Sequence, residues 1–309
     1  MDVKLSGEQE ELQRAVRGEL QRHAAGVSAP GPAEADIGAM VALQKSGFLD
    51  VIASGGSAVD AVLVIEAAAT HAPGSPVAAR ALVGPCLTEE SLPLIVALAD
   101  RRVGAVCRFA AEAEAFLLID GDEALIAASP SAEVELLHSR WGYPVGRVTT
   151  SGGKPLGPSS GDTLQRLWRI GLAAEAAGLM EAAVMHAAHH VSERYQFGKP
   201  IGSLQAIQHR LARAHIAAQG AKWLARRAAW DTADAVAAAA AACSAAEGLA
   251  EVLAATHQVC GAIGFTDEFG LTRYTARMAM LQTDLGGASA HARALARGRW
   301  KTPPLAARN

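Results

Sequence analysis

Apolar positions recur at helical spacing over most of the chain. Ser6-Gly7-Glu8-Gln9 has the form of a capping box, and Leu12, Val16 and Leu20 follow at four-residue intervals, so a helix is expected over about 6–23. The stretch 26–32, rich in Gly, Ala, Ser and Pro, breaks it, and short helices are expected at 37–49 and 57–70. Gly74-Ser75-Pro76 interrupts again, with further short helices expected at 77–82 and 91–99. Between 103 and 148 the texture changes to short apolar runs separated by turns, at 103–107, 115–119, 124–126 and 134–137, with Asp120-Gly121-Asp122 as a hairpin turn. The residues 149–161 read as a linker by composition. Beyond it, Leu164, Leu167, Trp168, Leu172, Leu179 and Val184 mark one face of a long helix from Asp162 to about Tyr195. Two more long helices are expected at 204–230 and 232–260, and a fourth over 271–297 with a break at Gly286-Gly287. The pattern therefore predicts a mainly α protein. It has an N-terminal helical domain (1–100), a small middle β region (101–155) and a C-terminal antiparallel four-helix bundle (162–299).

Composition fits that layout. The chain has 309 residues, half of them hydrophobic but only 5% aromatic, so alanine supplies much of the apolar surface and helices can pack closely. With 28 basic and 31 acidic side chains and no block of like charge, nucleic-acid binding is excluded as the main task. Cys86, Cys107, Cys243 and Cys260 are too scattered for a metal pair or a disulfide framework and read as reduced thiols. The first twenty residues lack the basic-then-apolar order of a secretory signal. The most membrane-like run, 235–246, falls short of the ~20 apolar residues of a span. A soluble cytoplasmic protein without a membrane span is expected.

Two segments are too idiosyncratic for bundle filler. One is Glu193-Arg194-Tyr195-Gln196-Phe197-Gly198-Lys199-Pro200-Ile201, followed by Gln205 and Gln208; the other is Gln258-Val259-Cys260-Gly261-Ala262-Ile263-Gly264-Phe265-Thr266-Asp267-Glu268. Arg194 offers a planar, permanently charged fork to a diphosphate, and the glycines of the second segment let backbone approach a ligand. Taken singly, Arg194 also reads as a solvated charge at a helix end and Phe197 as a loop anchor. Together, at this separation and on these helix ends, the two segments resemble the flavin-binding signature of the acyl-CoA dehydrogenase family. The resemblance covers about 162–297 and is weaker before it.

The resemblance implies the same three-part fold and a set of FAD contacts at Arg194, Phe197, Gln205, Gln258, Gly261 and Ala262. Alanine at 262 stands where the family has a second glycine. It also implies α,β-dehydrogenation of an acyl-CoA, electrons passed to an electron-transfer flavoprotein, and flavin sites shared across subunits. The Thr-Glu-Pro-x-Ala-Gly-Ser-Asp and Trp-Ile-Thr strands that hold the isoalloxazine ring in the family have no counterpart between Cys86 and Lys154. The usual base sits in a Tyr-Glu-Gly-Thr turn, which aligns with Asp284-Leu285-Gly286-Gly287 and puts Leu285 in its place. The alternative base position, on the long helix before the arginine motif, falls near Trp168. Asp284 adjoins the expected position but is expected to point away from the pocket, and Glu268 matches a residue that is usually structural.

The ending Leu285-Gly286-Gly287-Ala288-Ser289 with His291 resembles the short subunits of heteromeric α2β2 acyl-CoA dehydrogenases of sterol side-chain and related CoA-thioester catabolism. In those, a longer base-bearing paralogue completes the site. A silent scaffold without flavin and a self-sufficient dehydrogenase with a relocated base remain the rival readings. His186 and His190 stand at metal-ligand spacing, but no third ligand follows, so packing is expected and no metal site.

Overall fold

In the computed structural model, which describes residues 4–26, 34–139 and 142–300, helices flank two small sheets. Helix α1 (Gly7–Gly26) begins at the expected capping box, where Ser6 N–H donates to Gln9 Oε1 at 3.1 Å and Gln9 N–H to Ser6 Oγ at 3.2 Å. Asp36 caps α2 (Ile37–Lys45), accepting from Ala39 N–H at 2.9 Å, and Ser57 with Asp60 forms a second capping box on α3 (Ala58–His71). The break read at 26–32 lies, from 27 onward, outside the described residues. Ala79–Val83 forms a single π-helical turn.

The helix expected at 91–99 does not form. Val96–Asp100 is strand β1, buried along its whole length, and periodicity does not separate so short an apolar run from a helix. The other strands of this region are β2 (Val106–Arg108), β3 (Ala115–Asp120), β4 (Glu123–Ala128), β5 (Ala132–Leu137), β6 (Val145–Thr150) and β7 (Lys154–Pro155). They make one sheet in the order β1-β3-β4-β7 and another in the order β2-β6-β5. The β3–β4 hairpin turns at the predicted place, with Asp120 opposite Glu123 and Gly121 at φ 61°. Strand alternation splits the core: Val96, Leu98, Leu117 and Ile119 face the helices, whereas Ala97, Ala99, Phe116 and Leu118 face the second sheet. Part of the linker predicted at 149–161 is strand, since the central strand β6 runs to Thr150 and the edge strand β7 adds Lys154 and Pro155.

The C-terminal part follows the sequence closely. Helix α4 (Ser160–Glu193) turns through a two-strand hairpin, β8 (Tyr195–Gln196) and β9 (Lys199–Pro200), into α5 (Gln205–Trp230); α6 (Ala235–Cys260), α7 (Thr272–Leu281) and α8 (Gly287–Arg299) complete the bundle. The expected break in the last region is a 3-10 turn at Asp284–Gly286, where Leu285 itself is left-handed at φ 52°. Helix α6 continues well past 246, so it and α4 are long and apolar enough to cross a membrane. In α4, however, 83% of the most apolar window is core of this protein.

Gly171 and Gly178, two turns apart on α4, let it approach the N-terminal unit: a Cβ on Gly178 would enter the Glu66 carbonyl, and one on Gly171 would meet Ala78 Cβ at 2.9 Å. Across the same junction Arg226 of α5 donates to both carboxylate oxygens of Glu66, at 3.0 and 2.6 Å, with both side chains buried.

Candidate functional site

A cavity of about 800 Å³ lies between the strand ends of β1 and β2, the N-terminal half of α4, the 283–286 turn and α8. Helix α4 presents Gln165, Trp168, Arg169, Leu172 and Glu175 to it at one-face spacing. Both positions at which the resemblance would look for a base, Leu285 and Trp168, line this one cavity, and neither side chain can take a proton from carbon.

The floor of the cavity is an ion cluster that spacing does not reveal. Arg108, at the end of β2, donates through Nη1 to Glu175 Oε1 at 2.9 Å and Oε2 at 3.0 Å. Its Nη2 lies 3.2 Å from Asp284 Oδ2, close enough for an ion pair although that oxygen has no well-aligned hydrogen bond. The guanidinium also sits over the Tyr143 ring at 4.6 Å, and the Tyr143 hydroxyl donates to Glu175 at 2.5 Å. Burial alone would weaken the Arg108 charge, but Glu175 and Asp284 overcome it and hold the guanidinium more firmly protonated than usual. Burial pushes the Asp284 carboxyl up, against the pull of Arg108. The Tyr143 phenol is held well above its ordinary value by burial and then by Glu175. Beside the cluster, burial pushes the Cys107 thiol up to about 12 and the His291 imidazole down to about 4, the latter with help from Arg169.

Asp284 therefore does not point away from the pocket, as the sequence reading expected. The left-handed Leu285 reverses the chain directly after it, and Arg108 draws the carboxylate inward. Glu268 is exposed, lies outside the cavity lining and takes no part in this site. Arg108, Tyr143 and Glu175 were missed by sequence reasoning. The available signal was Glu175, the one charged residue between Ile170 and Met180.

The two idiosyncratic segments sit elsewhere. Arg194 closes α4 with its N–H on the His190 carbonyl at 2.9 Å, and its own carbonyl accepts from Ile201 N–H at 2.8 Å. Phe197 (φ 55°) and Gly198 (φ 78°) form the two-residue turn between β8 and β9, a conformation that leaves the Phe197 ring 86% exposed. Gln205 is the first residue of α5 and points to solvent, as do Gln258 on the last turn of α6 and Ala262 beyond it. Gly261 has φ 67° and ψ −150°, which favours glycine, and the space where a Cβ would stand is open. Because α4, α5 and α6 alternate in direction, all six residues gather at one end of the bundle. The contact of His186 and His190 of α4 with Phe269, ring centroids 4.6 and 4.9 Å apart, ties the two segments together there. Those contacts pack both imidazoles against the Phe269 ring.

From Glu175 to Arg194 is nineteen residues of α4, roughly 28 Å at 1.5 Å per residue. The cavity and the exposed segments are thus at opposite ends of one helix.

Residues 165–299 match the model of the acyl-CoA dehydrogenase C-terminal domain. The chain carries the acyl-CoA dehydrogenase fold and that family's C-terminal domain. Among solved structures it resembles the ChsE4-ChsE5 complex from Mycobacterium tuberculosis, with a TM-score of 0.78 and 21% identity over 98% of this chain and 100% of the other. It also resembles a steroid ACAD variant of Tcur3481-Tcur3483, with a TM-score of 0.77 and 24% identity over 94% of this chain and 97% of the other. An acyl-CoA dehydrogenase of Bacillus subtilis is 45% identical over 56 residues, which are 18% of this chain and 15% of the relative. In this acyl-CoA dehydrogenase fold the cavity lies between the β region and the bundle, and the matched domain supplies its α4, turn and α8 walls.

Proposed function

We propose that the chain is the base-lacking subunit of a FAD-dependent acyl-CoA dehydrogenase that assembles with a longer paralogue into a cytoplasmic α2β2 heterotetramer. The observation that carries this reading is the separation of the exposed segments from the chain's own cavity by roughly 28 Å of helix. Segments placed so serve a site on a neighbouring subunit. Arg194, Gln205 and Gln258 supply a guanidinium and two amides at one bundle end, and Phe197 supplies an exposed ring, a donor set that suits the ADP half of the cofactor. The open face of Gly261 admits a ligand close to backbone. FAD, when bound, supplies the hydride acceptor for α,β-dehydrogenation of an acyl-CoA, and an electron-transfer flavoprotein takes the electrons onward. The resemblance to ChsE4-ChsE5 and to a steroid ACAD favours CoA thioesters of sterol side-chain type.

This chain's part is to bind and orient. Its own cavity offers no free base, because Leu285 and Trp168 occupy the two base positions and the carboxylates beside them are both ion-paired to Arg108. The test is Arg194→Ala in the co-expressed pair, with flavin content and acyl-CoA oxidation measured together. Loss of flavin from the complex is expected. Unchanged flavin and activity would instead favour a scaffold, and a purified single chain that is yellow and oxidises an acyl-CoA would overturn the need for a partner. One observation favours a second reading: Asp284 faces the cavity next to Leu285, so a self-sufficient enzyme would use Asp284 as base and lose activity in Asp284→Asn.

A further inference from the structure

His257, the residue before Gln258 on the last turn of α6, ties the second exposed segment to its surroundings. Its carbonyl accepts from the Gly261 N–H that closes the helix. Its ring stacks on that of Phe265, with centroids 4.3 Å apart and planes 28° from parallel. Its Nε2 lies 2.9 Å from Thr275 Oγ1 on α7. The Thr275 hydroxyl donates to the Leu271 carbonyl at 3.3 Å, so its oxygen is the acceptor of the imidazole contact and His257 Nε2 carries the proton. Burial holds the imidazole below its ordinary pKa and so keeps it neutral at pH 7. Nδ1 is then a bare lone pair, buried without a hydrogen-bond partner. It faces the turn: a Cβ on Gly264 would stand 3.4 Å from Nδ1 and 3.1 Å from Cys260 Cβ, and glycine leaves the ring its room there. One imidazole thus joins the end of α6, the 3-10 turn Gly261–Phe265 and α7. Of the turn's five residues only Gly264 is buried, so packing into the core does little to fix it.

We propose that His257 is a positioning residue: it fixes the Gly261–Phe265 turn against α7 and so holds Gln258 and the Gly261 backbone in one arrangement before any cofactor arrives. This rests on the reading above, in which those residues meet a flavin on the neighbouring subunit. A turn already fixed loses no freedom on binding, so its anchor raises affinity without touching the ligand.

Two measurements test the role. In the full chain without cofactor, amide hydrogen exchange across 261–266 is compared for the parent, His257→Ala, His257→Gln and Thr275→Val. The first variant removes ring and donor together, the second restores a donor amide, and the third leaves the ring on Phe265 while removing the acceptor. Exchange at 261–266 is expected to speed about ten-fold in His257→Ala and by less in the other two, while α4 and α5 keep the parent's rates. In the co-expressed pair stripped of flavin, FAD is then titrated back and followed by its fluorescence. His257→Ala is expected to weaken FAD binding about ten-fold, the factor that one ordinary hydrogen bond or ring contact is worth, with His257→Gln recovering part of the loss. Should His257→Ala not fold, Thr275→Val decides by the same two readouts. A merely structural role would speed exchange throughout the bundle or leave FAD affinity at the parent's value, and either result overturns the proposal. Arg194→Ala separates it from the reading on which it rests. If Arg194→Ala weakens FAD and His257→Ala does not, flavin sharing stands and the positioning role falls; if neither weakens FAD, flavin sharing falls and takes the positioning role with it.

Discussion

Replacing Arg108 by methionine tests the cavity floor most directly. The change keeps an unbranched side chain against Tyr143 but removes the only cation paired with Glu175 and Asp284 among the described residues. Three contacts disappear: two hydrogen bonds to Glu175 at 2.9 and 3.0 Å and the ion pair to Asp284 at 3.2 Å. Breaking a buried pair from one side costs about 3–5 kcal/mol, and here two carboxylates are stranded at once, so the upper part of that range is expected. Against a total stability of about 5–15 kcal/mol this is a large fraction.

The loss depends on pH, and its sign follows from proton linkage. A carboxyl whose folded pKa stands above its unfolded value is protonated more readily in the native state, so its ionisation destabilises as pH rises through the folded pKa. Asp284 already has this sign through burial, and removing Arg108 pushes it further. Urea unfolding of the variant and the parent at pH 5 and pH 8 measures the effect. The deficit is expected to be small at pH 5 and several kcal/mol at pH 8. A deficit below about 1 kcal/mol at pH 8, or one that does not change with pH, would refute the account of the floor as a closed ion cluster.

Other outcomes follow from the same structure. Gly178→Val, which drives a side chain into the α3 backbone, is expected to cost about 3 kcal/mol or more in thermal unfolding, whereas Gly220→Ala, where a Cβ meets Ser244 Oγ only at 4.0 Å, is expected to be neutral or stabilising. Glu66→Leu strands Arg226 and lowers stability by about 3–5 kcal/mol, and the double change with Arg226→Met recovers most of it in a double-mutant cycle. His291, pushed down to about 4, gives up in the native state a proton that the unfolded chain keeps, so stability falls as pH drops from 7 toward 4 by roughly 2 kcal/mol; His291→Leu flattens that part of the profile. A disulfide reagent at pH 8 is expected to label exposed Cys86 first, and to reach Cys107 and Cys260, with thiols pushed up to about 12 and about 11, only after unfolding.

Much of the molecule is written locally. The Ser6–Gln9 and Ser57–Asp60 caps, the long apolar faces of α4, α5 and α6, the Asp120–Glu123 hairpin and the break before α8 each follow from residues within one or two turns of each other. The exposed segments at the bundle end are legible for the same reason, since Arg194 to Gln205 is one turn between two helices. The sequence misreads β1, because a short run buried on both faces carries no period, and it misses β6, which joins neighbouring β5 to distant β2, and β7, whose partner β4 lies far along the chain.

The cavity floor could be decided only by tertiary structure. Arg108, Tyr143, Glu175 and Asp284 come from a strand end, a loop, a helix and a turn, and no spacing rule connects them. The sequence by itself determined the long helices, their caps and the identity of Leu285. Folding determined that Leu285, Trp168 and the arginine-held carboxylates face one enclosure, because charges buried together must find partners wherever the chain brings them close.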